Sequence, residues 1–152
     1  KAADPDAELT LVRVEVLPLL ADVLAAAYPD FLERGAVPEV DFADDEFSAT
    51  ADADALARVL SNLVTNALRH GAGDVRIIQR GRTLSFANAV REGAAPDVER
   101  LFDRFYKADV ARNGEGAGLG LSIVANLCEK MGASVEAHLE GDELTITLTL
   151  AE

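Results

Sequence analysis

Arg58 to Gly73 reads RVLSNLVTNALRHGAG, and two periodicities run through it. Leu56, Val59, Leu60, Leu63, Val64, Ala67 and Leu68 recur at three- and four-residue steps, the helical period, and give one apolar face. Asn62, Asn66 and His70 recur at four-residue steps, with Arg69 beside His70, and form a narrow polar stripe along the edge of that face. Two carboxamides and a basic end, half-sheltered by a core, suit a hydrated metal ion and a phosphate chain. The same stripe also fits the solvated flank of an ordinary amphipathic helix. A glycine-rich stretch further along the chain decides between the two.

Around this helix, 152 residues provide one domain with a sizeable core, and an apolar content of 49% with 27% charged residues predicts a globular chain. The net charge of −13 argues against general nucleic-acid binding, which rests on neutralising phosphates. The single cysteine, Cys128, falls on a helix face expected to be buried, so no disulfide framework exists, consistent with a reducing cytosol. No apolar run reaches spanning length and no signal peptide is visible. The chain opens at Lys1 rather than methionine, as expected of a piece of a longer protein.

Residues 1–8 are small and acidic and read as a flexible lead-in to a single domain over 9–152. Leu9–Val14 reads as a strand or extended segment. Leu17–Glu33 reads as a helix with Leu17, Leu20, Leu24 and Tyr28 on one face, kinked or ended by Pro29 and stopped by Gly35. Val40–Phe42 and Phe47–Thr50 read as strands around the acidic turn Ala43–Glu46, and Asp52 or Asp54 caps the central helix. Asp74–Gln79 and Thr83–Ala87 form a hairpin around Gly81, and Val98–Phe102 a short helix. Ala108–Ala117 reads as a mobile loop before a second core helix, Leu119–Met131. A closing hairpin, Ala133–Glu140 and Glu143–Leu150, turns at Gly141-Asp142. The irregular alternation predicts an α+β fold, a mixed sheet with helices stacked on one face.

Gly114–Leu121, GEGAGLGL, places glycine at every second position and leads into a helix. Glycine lets a backbone approach a ligand, and a helix N-terminus offers free N–H groups to phosphate. The run is neither a Walker A loop nor a dinucleotide fingerprint. Leu101–Asp109, LFDRFYKAD, sets Phe102, Phe105 and Tyr106 at helical spacing, with Arg104 and Lys107 as basic residues in an acidic chain.

The order of these motifs matters more than any one of them. Asn62-Leu-x-x-Asn66-Ala, then Phe102-x-x-Phe105, then Gly116-x-Gly118-Leu-Gly120-Leu strongly resembles the ATP-binding catalytic domain of sensor histidine kinases. That family shares its ATP-binding fold with DNA gyrase, one heat-shock chaperone class and the MutL proteins. The resemblance covers nearly the whole chain. It implies a two-layer sandwich, with a mixed, mostly antiparallel sheet and about three helices on one face. It also implies that Asn66 ligates Mg²⁺, that Asn62 supports it, and that Arg69 and His70 approach the phosphates of ATP. Phe102 and Phe105 would anchor a lid of about residues 106–117. Gly116, Gly118 and Gly120 would let it close, with Leu119 opening the helix that faces the phosphates. Arg104, Lys107 and Arg112 are weaker candidates for phosphate or partner contact.

The implied partners are a helical dimerisation and histidine phospho-acceptor domain of the same protein and a response regulator. Neither His70 nor His138 lies in a helical hairpin, so the acceptor domain is expected to lie outside this chain. The resemblance also implies a cytoplasmic domain of a membrane-anchored sensor, with no direct membrane contact of its own. One departure stands out: the family's usual Asp-x-Gly-x-Gly before the lid is here Asn88-Ala-Val-Arg-Glu. Asn88 still offers an acceptor to the adenine amino group but without charge assistance, a loss of about 1 kcal/mol, or roughly fivefold to tenfold in affinity. Alternatives on the same fold are a nucleotide-binding pseudokinase or docking module, an anti-sigma-factor-type serine kinase, and an ATPase. The ATPases generally carry a glutamate where this chain has Asn62, which cannot act as a general base.

Overall fold

The computed structural model describes residues 8–90, 97–103 and 120–152. The chain runs β1 (Val12–Glu15), α1 (Val16–Arg34), β2 (Pro38–Phe42), β3 (Ser48–Ala51), α2 (Ala53–His70), β4 (Gly71–Arg80), β5 (Thr83–Val90), α3 (Gly120–Met131), β6 (Ser134–Glu140) and β7 (Glu143–Thr149). Five strands form one sheet in the order β2-β4-β5-β7-β6; β2 pairs parallel with β4 and the other pairs are antiparallel. β1 and β3 form a separate antiparallel pair. The helices cover one face: α2 lies over β4 and β5, α3 over β6, and α1 packs against α2. This is the two-layer α+β sandwich expected from the sequence.

Helix α2 is the spine of the core. All seven residues of its predicted apolar face are buried, from Leu56 to Leu68. They meet Val75 and Ile77 of β4, Leu84 and Phe86 of β5, and Leu144, Ile146 and Leu148 of β7, all buried. Asp52 rather than Asp54 caps α2: its Oδ1 accepts from Ala55 N–H at 2.9 Å. Its Oδ2 accepts from Thr10 N–H at 2.8 Å, so one carboxylate starts the central helix and ties down the incoming chain. Those two N–H groups hold its carboxyl below the usual aspartate range.

Gly35 adopts φ 67° and closes α1: its N–H donates to Leu32 O, and Ala36 N–H donates to Phe31 O at 3.0 Å. The helix runs through Pro29 to Arg34 rather than ending there. Its buried residues are Val16, Leu17, Leu20 and Phe31; Tyr28, expected on the inner face, is 53% exposed. The two strands placed around the acidic turn do not pair with each other: β2 joins the main sheet and β3 joins β1. Residues 98–102 are hydrogen-bonded turns instead of the predicted short helix, with Arg100 N–H donating to Asp97 O and Asp103 N–H to Arg100 O, both at 2.9 Å.

Arg82 joins the two sheets. Its guanidinium donates to Leu150 O at 3.0 Å, to Ser48 O at 3.1 Å and to Ala151 O, and lies over the Phe47 ring. Cys128 is buried in the core face of α3, which pushes its thiol up to about 12.

Candidate functional site

The edge of α2 that carries the carboxamides faces α3. Asn62 is half-buried, and its Nδ2 donates to the backbone oxygen of Gly120, the first residue of α3, at 3.2 Å. This single bond fixes the start of α3 beside the polar stripe. Asn66, one turn further along α2, is also half-buried, and among the described residues its carboxamide has no hydrogen-bond partner. A sheltered amide oxygen of that kind is a good ligand for a hard cation or a bound water.

Asn88 is the second polar group in this region. It sits on the inner face of β5, 3% exposed, between Val75 of β4 and Leu144 of β7. Its Nδ2 donates to Ala89 O at 3.1 Å, which leaves Oδ1 as the acceptor. α2 passes at His70 directly into β4, and Gly71 pairs with Val90. The β4–β5 register then slips between Gly71 and Val75. The C-terminal turn of α2 and Asn88 therefore share one end of the sheet. Phe102 is half-buried against the core and follows the buried Leu101.

The structure thus brings Asn62, Gly120 and the Asn66 edge together, and sets Asn88 at the same end of the sheet. Arg69 is elsewhere. It lines a cavity of about 220 Å³ with Thr65 and Leu68 of α2 and with Asp30, Glu33 and Arg34 of α1. At 100° per residue, Arg69 stands about 20° to one side of Asn62 and His70 about 80° to the other, so neighbours in sequence diverge around the helix. The side chain of His70, and Phe105, Gly116, Gly118 and Leu119, lie outside the described residues, as do Arg104, Lys107 and Arg112. The Asn62–Gly120 bond was not foreseen, because it joins residues 58 apart and no local pattern signals it.

The matching family model settles what this arrangement belongs to. Residues 51–152 match the model of the histidine kinase-, DNA gyrase B- and HSP90-like ATPases. The chain belongs to this family. The matched region begins just ahead of the Asp52 cap and includes the carboxamide edge, Asn88 and α3. As a member of this ATPase family, the domain is of the ATP-binding catalytic type found in two-component sensor kinases. Among curated relatives, it is 33% identical to "Probable sensor histidine kinase HK" of Mycobacterium tuberculosis over 97% of this chain and 40% of that protein. It is 31% identical to sensor histidine kinase YcbM of Bacillus subtilis over 99% of this chain and 51% of that protein. The chain therefore spans about half or less of these relatives. Among solved structures, full-length ShkA, determined in complex with AMPPNP, superposes with a TM-score of 0.75 at 29% identity, over 96% of this chain and 33% of that one. No helix among the described residues is long and apolar enough to cross a membrane.

Proposed function

We propose that this domain binds ATP with Mg²⁺ and, joined to a helical dimerisation and acceptor domain, transfers the γ-phosphoryl group to a histidine nitrogen. The observation that carries this reading is the Asn62–Gly120 bond. It sets the start of α3, the end at which a helix presents its N–H groups, beside the edge of α2 that carries Asn66, whose carboxamide has no hydrogen-bond partner among the described residues. Phosphate at a helix N-terminus and a metal ion at an adjacent amide oxygen are what a nucleotide triphosphate requires of a protein.

The residues present fit Mg²⁺. Among the described residues no group of three or more His, Cys, Asp or Glu could hold a metal ion. An ion here would be held by the Asn66 amide oxygen, water and phosphate oxygens, the sparse oxygen set that Mg²⁺ accepts. Bound there, it would neutralise charge on the β- and γ-phosphates. The chain's own residues position. Asn66 would orient the phosphate end, and Asn62 would hold α3 in place. Asn88 would accept from the adenine amino group, with Arg69 and His70 the basic residues assigned to the phosphates. The acceptor nitrogen attacks phosphorus as the bond to the β–γ bridging oxygen breaks, and ADP leaves with the electron pair. Asn62 offers no general base, so water is not activated from that position, which favours transfer over hydrolysis. The domain would work in the cytoplasm, its parent sensor anchored in the membrane and passing the phosphoryl group to a response regulator.

The test is to join the chain to its upstream helical segment and supply γ-labelled ATP. Acid-labile, base-stable phosphohistidine is the expected product. Acid-stable phosphoserine on a partner would identify a serine kinase instead, and absence of label with nucleotide still bound would identify a docking module.

A further inference from the structure

The far edge of the main sheet carries a second surface, independent of the nucleotide site. Among the described residues six large apolar side chains are exposed, and four of them, Tyr28, Leu32, Val37 and Val40, fall between residues 28 and 40. Val40 is the informative one. It pairs with Ile77 across the parallel β2–β4 ladder and so shares its face; Ile77 is 0% exposed and Val40 is 50% exposed. The core covers β4 and reaches Phe42 but leaves Val40 open.

The backbone of β2 is open as well. Val75 N–H donates to Val37 O at 3.4 Å and Ala43 N–H donates to Gln79 O at 3.1 Å, so the odd-numbered residues of β2 face β4. By strand alternation the N–H and C=O groups of Val40 and Phe42 point away from the sheet. On the opposite face of the strand stand Glu39 and Asp41, both exposed. Residues 28–46 hold seven acidic residues and one basic residue, −6 of the chain's −13. Charge of one sign on an edge strand repels a second copy of the same edge and any acidic strand. On the β4 side Arg80 already pairs with Asp41 at 2.9 Å and Arg76 stands opposite Glu39, so a basic partner is drawn by the acidic excess that remains along the edge.

We propose that β2 is a docking edge for an extended protein segment that alternates apolar and basic residues. The segment would add as a sixth strand beside β2, through the outward groups of Val40 and Phe42. Its apolar side chains would cover Val40 and extend the apolar surface toward Leu32. Its lysines or arginines would stand opposite Glu39, beside Asp41, whose carboxylate already accepts from Arg80.

The probe is a fluorescein-labelled peptide alternating valine and lysine, titrated with the domain and followed by anisotropy at physiological ionic strength. A peptide alternating valine and glutamate is the control. Val40→Pro removes an N–H that points outward and spares every bond to β4, so the domain should fold normally. It is expected to weaken the lysine peptide at least tenfold without changing any charge. Glu39→Lys should weaken it to a similar degree, and the surface change Leu32→Ser about threefold. All three variants should titrate nucleotide as the wild type does, which separates this surface from the nucleotide site. The proposal is overturned if Val40→Pro binds the peptide like wild type while Glu39→Lys does not, since that shows charge attraction alone. It is also overturned if the lysine peptide fails to bind, or if the domain dimerises through this edge by itself.

Discussion

Replacing Asn62 by alanine and by aspartate should separate the parts played by one amide. In the folded domain Asn62 Nδ2 donates to Gly120 O at 3.2 Å in a half-buried contact between α2 and α3. Alanine deletes that bond, at about 1 kcal/mol for a neutral hydrogen bond. Aspartate is nearly isosteric and keeps the packing, but at neutral pH it sets a carboxylate oxygen against the carbonyl oxygen. The lost bond and the added repulsion together should cost about 2 kcal/mol, or roughly 4–8 °C in Tm for a domain of this size. Repulsion disfavours the charged form, so the folded-state pKa of the new aspartate is raised. Its destabilisation is then full at high pH and fades as pH falls through that raised value, where the protonated acid again donates to Gly120 O. Urea unfolding of wild type, Asn62→Ala and Asn62→Asp at pH 7.5 and pH 5 reads both effects. The aspartate deficit should exceed the alanine deficit at pH 7.5 and shrink at pH 5, while the alanine deficit stays constant. Equal deficits for the two variants at pH 7.5 would refute the contact as the link between α2 and α3.

Asp52→Ala should cost about 1–2 kcal/mol by removing the cap on α2 and the tie to Thr10. Because the native carboxyl is held below its ordinary value, that contribution is present above the unfolded pKa and lost as pH falls through the folded one. Denaturation at pH 7 and pH 3 should therefore show a smaller wild-type advantage at the lower pH. Cys128, buried with its thiol pushed up to about 12, should resist a thiol reagent in the native domain and react on unfolding; rapid native labelling would contradict its burial. Asn88→Asp should tighten ATP-analogue binding by roughly fivefold to tenfold through a charge-assisted bond. The same change should lower the stability of the nucleotide-free domain, because the position is 3% exposed. Calorimetric titration and thermal unfolding read the two effects separately.

The central helix and the hairpins were legible because their signals are local. Leu56 to Leu68 repeat at helical spacing, and Leu144, Ile146 and Leu148 alternate at strand spacing; all are buried. The pairing of β2 was not legible, since a parallel partner more than thirty residues on leaves no mark in the strand itself. Tyr28 fits the apolar repeat of α1, yet Phe31 is the residue buried at that end of the helix. The cavity that Arg69 lines with Asp30, Glu33 and Arg34 of α1 left no mark in the sequence, because it joins two helices far apart in the chain. Of the candidate site, the carboxamide stripe and Asn88 could be picked out by residue type and family order. The bond that docks α3 against the stripe could be seen only in three dimensions.

Calorimetric titration of the domain with ADP and a non-hydrolysable ATP analogue, with and without Mg²⁺, on wild type and Asn66→Ala, tests the account at its centre. Binding strengthened by Mg²⁺ in the wild type, with that gain lost in Asn66→Ala, is the predicted result. Absence of binding at millimolar nucleotide, or an equal Mg²⁺ gain in both proteins, would contradict the assignment of this edge of α2 to a metal–nucleotide site.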